Sequence, residues 1–241
     1  MMSNKLVTSE NIRLFAFTNE SICAKPISIR EVVIDFHGLG FCGMKNEFGE
    51  FEKLCAAKGI LYVFPYYGPW SWMNNTAVKF VDSIIDVLFA KYNLDATTPI
   101  LSTGGSMGGL SALIYTLYAA RTPAACAANC PVCDLPYHFT ERDDLPRTLY
   151  NAFAHYNCGL EEAMKTGSPI HQAENMPNIP YYIVHGDADK AVNKQLHSDV
   201  FVKAMRIAHN ITYDEVPNME HCALTGKALE KYNDFIFSFA K

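Results

Sequence analysis

The chain has 241 residues, of which 49% are hydrophobic and 19% charged, and its formal net charge is −5. This length and composition suit one α/β domain, residues 1–241, with a large core. The mild acidic charge, without a basic stripe, argues against nucleic acid as a partner. The chain contains no apolar run long enough for a membrane span.

The predicted elements alternate between strands and helices along the chain. Short apolar runs predict strands at residues 12–17, 31–36, 60–65, 99–101, 124–129, 181–184 and 211–216. Helical spacing of apolar residues predicts helices at 47–58, 76–92, 110–120, 193–209 and 225–240. This alternation predicts a mainly parallel central sheet covered by helices on both faces. Residues 134–177 break the rhythm with prolines and charges, and we expect them to form a small lid.

The motif Gly104-Gly105-Ser106-Met107-Gly108-Gly109 lies between a predicted strand and a predicted helix. In that context a Gly-x-Ser-x-Gly pattern indicates a serine nucleophile on a sharp turn. Glycine permits the strained backbone and the close packing that such a turn requires. An ordinary glycine-rich turn is the alternative interpretation, but the flanking elements favour a catalytic serine.

Ser106, Asp189 and His221 each follow a predicted strand, where functional groups of such sheets gather. Serine needs a histidine to accept its proton, and an aspartate orients that histidine. The chain order Ser, Asp, His is the order of the α/β-hydrolase arrangement. We therefore predict these three as the catalytic residues.

Several other residues compete for these roles. Asp187 and Asp134 are alternatives for the acid, and Asp189 could instead cap the helix that follows it. His209 ends a predicted helix and is a weaker alternative to His221. His37 and His185 each precede a glycine at a strand end, so we expect them to organise their loops through hydrogen bonds.

Two backbone amides are predicted to stabilise the oxyanion of a tetrahedral intermediate. The amide of Met107 follows the nucleophile, and that of Leu39 lies in the loop after the strand 31–36. In the same loop, Gly38 and Gly40 are expected to contact substrate.

The loop at residues 66–72 carries both tryptophans of the chain, Trp70 and Trp72. Because this loop follows a strand, the two rings could form the wall of an apolar substrate pocket, although ordinary aromatic packing is the alternative. Arg142 and Arg147 could recognise a carboxylate, but a solvated charged face is the favoured interpretation.

The eight cysteines are interpreted as reduced, small hydrophobic residues, because the first residues lack the apolar core and cleavage site of a signal peptide. We expect a cytoplasmic protein, which could form homo-oligomers. Cys130 and Cys133 have C-x-x-C spacing, but no second pair lies nearby in the sequence. The sequence therefore predicts no metal ion and no cofactor.

The motif around Ser106, the His37-Gly38-Leu39-Gly40 run and the run beginning His185-Gly186-Asp187-Ala188-Asp189 resemble those of α/β-hydrolase serine hydrolases. More narrowly, Ser168-Pro169-Ile170, Ile179-Pro180 and the His-Gly-x-x-Asp-x-x-Val run resemble the catalytic domain of the prolyl oligopeptidase family. That resemblance implies Asp189 as the acid and His221 as the histidine. The Gly-Leu-Gly and Ser-Met-Gly-Gly runs are similar to those of monoglyceride lipases and small carboxylesterases, which implies oxyanion amides at Leu39 and Met107.

The chain departs from these relatives in two respects. Peptidases of the prolyl oligopeptidase group carry a β-propeller domain before the catalytic one, for which this chain has no room. Residues 218–220 lack the glycine-rich approach to the histidine.

The sequence favours a serine carboxylesterase that cleaves small to medium apolar acyl or aryl esters through an acyl-enzyme. A serine peptidase acting on short peptides is the first alternative. A ligand-binding protein without activity on a hydrolase fold is the second.

Overall fold

The centre of the molecule is a seven-stranded sheet in the order β1-β3-β2-β4-β5-β6-β7. The computed structural model describes residues 6–25 and 27–240. The strands are β1 (Ala16–Thr18), β2 (Glu31–Phe36), β3 (Ile60–Pro65), β4 (Ile100–Gly105), β5 (Ala125–Asn129), β6 (Tyr181–Gly186) and β7 (Ile211–Val216). Strand β1 pairs antiparallel with β3, and the other neighbours pair in parallel. The predicted α/β fold with a mainly parallel sheet is confirmed.

Helices connect the parallel strands and cover both faces of the sheet. They are α1 (Glu50–Ala57), α2 (Asn75–Tyr92), α3 (Met107–Tyr118), α4 (Leu135–His138), α5 (Leu145–Phe153), α6 (Leu160–Thr166), α7 (Pro169–Gln172), α8 (Ser198–Met205) and α9 (Gly226–Phe237). Within the described ranges, no helix combines the length and the apolar character needed to cross a membrane.

The inner strands are apolar because they are buried on both sides. Along β2, Val32 and Ile34 face one core cluster, which they share with α2 and α3. Val33 points the opposite way, into a second cluster that contains Cys55 of α1 and Ile236 of α9. A strand covered on both faces needs apolar side chains at successive positions, which explains its nearly continuous hydrophobic run.

The parallel register brings several strand ends to one edge of the sheet. Phe36 of β2 pairs with Gly104 of β4, and Gly105 of β4 pairs with Asn129 of β5. On the other side, Gly186 at the end of β6 pairs with Val216 at the end of β7. The loops that follow these strands therefore meet above the same edge.

Most predicted elements have at least one end shifted by a few residues, and two predicted starts differ most. Residues 12–14 form a 3-10 turn closed by the amide of Phe15 on the Ile12 carbonyl, and only Ala16–Thr18 is a strand. The helix predicted at 193–209 begins at Ser198. Residues before it form turns, and the His197 side chain is directed into the protein, where it accepts hydrogen bonds from the backbone amides of Cys133 and Asp134.

The segment between β5 and β6 contains the short helices α4 to α7. Helix α5 is attached to the loop before α2, because the Trp72 indole donates to the Thr148 hydroxyl at 3.0 Å. Asn74 also donates to the Ala152 carbonyl at 2.9 Å. Thus α5 packs on the loop that carries the two tryptophans.

Glu31 at the start of β2 provides a test of how burial affects stability. Its carboxylate oxygens are buried and have no hydrogen-bond partner among the described residues, and burial raises its pKa from 4.5 to about 8. The folded protein holds a proton on the Glu31 carboxyl more tightly than the unfolded chain does. The stability that this proton contributes is therefore lost as pH rises from 4.5 to about 8.

We therefore expect Glu31→Gln to raise the free energy of unfolding at alkaline pH and to have a much smaller effect at acidic pH. Urea denaturation across this pH range measures the difference. The exposed Glu230→Gln is the matched control and should change neither stability nor its pH dependence. A Glu31→Gln effect that does not vary with pH would contradict the assignment.

Candidate active site

Ser106 occupies the sharp turn between β4 and α3. Its backbone has φ 60° and ψ −124°, a conformation that residues other than glycine rarely adopt. The surrounding structure holds this turn: the Ser106 amide donates to the Asn129 carbonyl at 2.9 Å, and the Leu110 amide donates to the Ser106 carbonyl at 3.1 Å. Strain of this kind persists only where neighbouring contacts overdetermine the backbone, and it is common at functional sites.

Two glycines allow α3 to start directly against the end of β2. A Cβ atom on Gly108 would lie 2.0 Å from the Phe36 carbonyl oxygen and 2.9 Å from that of His37. A Cβ on Gly104 would lie 2.6 Å from the backbone of Gly108. No other residue fits at either position without displacing the backbone, so the motif glycines are required by packing.

The structure brings Asp189 and His221 together. Nδ1 of His221 lies 2.7 Å from Oδ2 of Asp189, whose side chain is fully buried. The other oxygen, Oδ1, accepts from the amides of Ala191 at 2.8 Å and Val192 at 3.0 Å. Asp189 therefore stabilises its own turn and orients the histidine ring. The alternative, that it caps the helix that follows, is wrong, because α8 begins at Ser198 and has His197 at its N-cap position.

These contacts lower the pKa of Asp189 and raise that of His221, and both shifts favour the charged forms of the two side chains. Burial raises the pKa of Asp189, but hydrogen bonds from His185, His221 and two backbone amides outweigh it and hold that pKa well below its ordinary range. Burial likewise lowers the pKa of His221, yet the Asp189 carboxylate and the neighbouring Cys130 outweigh it and raise this pKa to about 9.

The alternative acids and the alternative histidine lie in other surroundings. Asp134 caps α4 by accepting from the Tyr137 amide, and Asp187 accepts from the Asn218 amide at 2.6 Å. His209 contacts the backbone carbonyl of Ala173. None of these three has a hydrogen bond to His221 among the described residues.

His185 and His37 both make loop contacts. Nε2 of His185 lies 3.1 Å from Oδ2 of Asp189, and its Nδ1 lies 2.6 Å from the Ser198 hydroxyl. His37 stacks on Tyr67 at 4.1 Å between ring centroids, and its Nδ1 contacts the Gly38 carbonyl. His185 thus forms a hydrogen bond with the Asp189 carboxylate, and His37 is the first residue of the loop that follows β2.

The two amides predicted to stabilise an oxyanion are those of Leu39 and Met107. Neither donates to a backbone acceptor in the described part of the chain, and Met107 is the first residue of α3, where a helix leaves its amides unpaired. Leu39 lies in the cleft beside Ser106, whereas the Met107 side chain is buried in the core. Only the backbone of Met107 can take part in binding.

A cleft of about 650 Å³ opens above Ser106 and His221. It is lined by all four residues predicted to contact substrate, namely Gly38, Gly40, Trp70 and Trp72. Trp72 is almost fully buried, while Trp70 lies under the Arg147 guanidinium at 5.1 Å from its ring centroid. Arg142 also lines the cleft but forms a two-pronged ion pair with Asp144.

Sequence reasoning assigned no role in this cleft to several residues that line it, namely His138, Asp144, Thr148, Ala191, Val192 and Cys222. Thr148 and His138 come from the irregular segment after β5, where no motif marked them. Cys222 directly follows His221, and this adjacency was the available signal. Among the described residues the Ser106 hydroxyl makes no hydrogen bond, and Nε2 of His221 lies 3.7 Å from Sγ of Cys222. Hydrogen bonds between catalytic side chains are often long or poorly aligned before substrate binds.

Comparison with known proteins gives a family and a fold. The sequence profile described as "Prolyl oligopeptidase family" matches residues 73–241, which is well over half of the chain. Among curated proteins, no sequence match was found.

Solved structures share the fold at low sequence identity. Esterase B from Lactobacillus rhamnosis is 15% identical with a TM-score of 0.70, and the match covers 90% of this chain and 77% of that one. Acylaminoacyl peptidase from Pyrococcus horikoshii is 14% identical with a TM-score of 0.69, covering 88% of this chain and 37% of that chain. A puromycin-hydrolyzing peptidase from Mycobacterium tuberculosis is 17% identical with a TM-score of 0.73, covering 88% and 34% respectively. The chain thus spans less than two fifths of either peptidase.

The contact between Gly108 and Phe36 can be tested by adding one methyl group. Gly108→Ala should destabilise the protein by roughly 2–3 kcal/mol, because the new Cβ must push the Phe36 and His37 carbonyls away. Gly159→Ala is the control, since a Cβ there meets nothing within 4 Å. Thermal unfolding of the two variants decides the matter, and equal stability would contradict the close approach described above.

Proposed function

Because the chain belongs to the prolyl oligopeptidase family of hydrolases, and a buried carboxylate orients a histidine beside a serine on a strained turn, we propose that it is a serine hydrolase with Ser106, His221 and Asp189 as its catalytic residues. The 2.7 Å contact between Asp189 and His221 carries this proposal. It leaves Nε2 as the ring nitrogen that can accept a proton at the cleft.

The residues would act in two half-reactions. The Ser106 hydroxyl attacks the substrate carbonyl while Nε2 of His221 takes its proton, and the imidazolium formed is stabilised by Asp189. His221 then gives this proton to the leaving group, which departs and leaves an acyl-enzyme. Water, activated by the same nitrogen, hydrolyses the acyl-enzyme and restores Ser106.

The negative charge of each tetrahedral intermediate would be stabilised by the amides of Leu39 and Met107. Both lack a backbone acceptor in the described structure, and Met107 adds the positive end of the α3 dipole. Donors held in place before the reaction stabilise the oxyanion without a reorganisation cost, and each is worth about 3 kcal/mol.

For the substrate we propose small to medium apolar acyl or aryl esters. The cleft beside Ser106 is lined by the rings of Trp70 and Trp72 and by the aliphatic side chain of Val192. Apolar and aromatic linings with a few polar groups are typical of pockets for small apolar ligands. Hydrolysis of short peptides is the second candidate, and family membership is the observation that favours it.

A substrate panel distinguishes the two candidates. We expect turnover of p-nitrophenyl esters, with a preference among acyl chain lengths, and weak or no turnover of aminoacyl-p-nitroanilides. Turnover of the anilides without the esters would overturn the ester assignment. A fluorophosphonate probe should label native protein and fail to label Ser106→Ala. Absence of labelling in the native protein would instead support a binding protein without activity.

The assignment of the catalytic acid is tested by comparing three variants in which an aspartate is replaced by asparagine. Asp189→Asn should lower kcat/KM by about 10⁴-fold, because the remaining amide can favour the wrong histidine tautomer. Asp134→Asn and Asp187→Asn are matched controls and should retain most of the activity, since their carboxylates bind other groups. Ester hydrolysis measures all three. An active Asp189→Asn beside an inactive Asp134→Asn would show that the acid is misassigned.

The raised pKa of His221 predicts the pH profile. The ring accepts the Ser106 proton only in its neutral form, so kcat/KM should fall as pH is lowered, with a midpoint above 6.5. In Asp189→Asn, loss of the carboxylate removes the favourable charge, and the midpoint should move to lower pH. A midpoint unchanged by this substitution would argue against His221 as the titrating base.

A further inference from the structure

Two cysteines lie beside the ring of His221, whose Nε2 the proposed mechanism uses. Cys130 directly follows β5, whereas His221 and Cys222 lie in the loop after β7. Their two sulfur atoms and the His221 ring nitrogen all lie within 4.8 Å of one another. Cys130 is buried, and Cys222 lines the cleft beside Ser106, so the cluster is reached from the cleft.

The spacing of this cluster fits a tetrahedral zinc ion. With Zn–S bonds of about 2.3 Å and Zn–N bonds of about 2.0 Å, a sulfur and a nitrogen on one ion are separated by about 3.5 Å. The observed separation of Cys222 Sγ from His221 Nε2 is 3.7 Å. This pair is therefore within a few tenths of an ångström of zinc geometry, and Cys130 Sγ lies within 4.8 Å of Cys222 Sγ and of a His221 ring nitrogen. Two thiolates and an imidazole form a soft donor set that favours zinc over magnesium or calcium.

The surroundings of the three ligands support metal binding. Asp189 holds Nδ1 of His221 at 2.7 Å, so Nε2 is the ring nitrogen beside Cys222, and the pair matches the carboxylate–histidine part of many zinc sites. The Cys222 amide donates to Sγ of Cys130 at 3.4 Å. This hydrogen bond favours the thiolate form of Cys130 that a metal requires.

A second cluster, formed by His138, Glu141 and His197, lacks this character. Nδ1 of His197 accepts from two backbone amides, so its Nε2 carries the proton and donates to Glu141 at 2.9 Å. A nitrogen that carries a proton cannot bind a metal. This cluster is therefore a hydrogen-bond network that attaches α4 to the turn before α8.

We propose that Cys130, His221 and Cys222 form a binding site for Zn²⁺, whose occupation reversibly blocks the general base of the proposed hydrolase. Binding replaces the protons of the two thiols, which pass to solvent, and uses the lone pair of neutral His221. Water completes the coordination. The inhibitory part rests on the proposed function, whereas the metal site itself does not.

Cobalt provides a readout that does not depend on activity. Under reducing conditions we expect Co²⁺ to produce a thiolate-to-metal charge-transfer band at one equivalent per chain. The experiment uses a Cys42→Ser, Cys158→Ser background, which removes the two exposed thiols. In this background Cys222→Ala and Cys130→Ala should lose the band. Cys133→Ala, the other member of the C-x-x-C pair, should keep it.

Ester hydrolysis provides the second readout. Zn²⁺ should inhibit, EDTA should restore the rate, and the half-inhibiting concentration should rise at least about tenfold in Cys222→Ala relative to its own uninhibited rate. A missing cobalt band, or a band unchanged in both cysteine variants, overturns the site. If the band is present but no ester is hydrolysed, the metal site stands and the proposed function fails. If the band is present but Zn²⁺ inhibits Cys222→Ala at the same concentration as the background protein, the proposal that the metal blocks the general base is wrong.

Discussion

The cleft depends on how closely the first turn of α3 approaches the end of β2. The backbone at Gly108 leaves no room for a side chain, because a Cβ would lie 2.0 Å from the Phe36 carbonyl oxygen. This contact places the start of α3 beside the loop that carries Leu39. It also leaves Ser106 in its strained conformation, with φ at 60°. The energy of that strain is met by the packing of α3, which is buried from Met107 to Thr116.

A second constraint comes from the buried carboxylate of Asp189. A charge without exposure is tolerated only where hydrogen bonds satisfy its oxygens, and here two amides and two histidines do so. These donors come from β6, from the loop after β6 and from the loop after β7. The loop holding His221 is thus fixed by the same interactions that make burial of Asp189 possible. The hydrogen bonds to the Asp189 carboxylate thus determine both the position of His221 and its electrostatic environment.

Histidines in this protein differ in chemistry because their tautomers differ. His221 has its Nε2 beside the Cys222 thiol at the cleft, since Asp189 occupies Nδ1. His197 is the reverse case: its Nδ1 accepts from the amides of Cys133 and Asp134, and Nε2 is committed to Glu141. The first ring can exchange protons or bind a metal, and the second joins structural elements. Residue type alone does not separate these two roles, whereas the hydrogen-bond partners do.

Local patterns predicted the fold well and the exact ends of its elements less well. The buried strands β2 and β3 have the predicted bounds, because continuous apolar runs reflect burial on both faces. The edge strand β1 was overestimated, since its three residues depend on pairing with β3. The helix before β7 also began later than its periodicity suggested, because His197 is held by backbone amides 63 residues away in sequence or more.

The sequence by itself determined the alternation of strands and helices and the positions of Ser106, Asp189 and His221 at strand ends. These follow from local patterns and from chain order, which need no knowledge of side-chain contacts. Only the tertiary structure decided that Asp189 rather than Asp134 or Asp187 contacts His221, and that Cys130 has its neighbours at His221 and Cys222 rather than at Cys133. The reason is that such contacts arise where loops from separate strands meet, and their partners lie up to 92 residues apart in sequence.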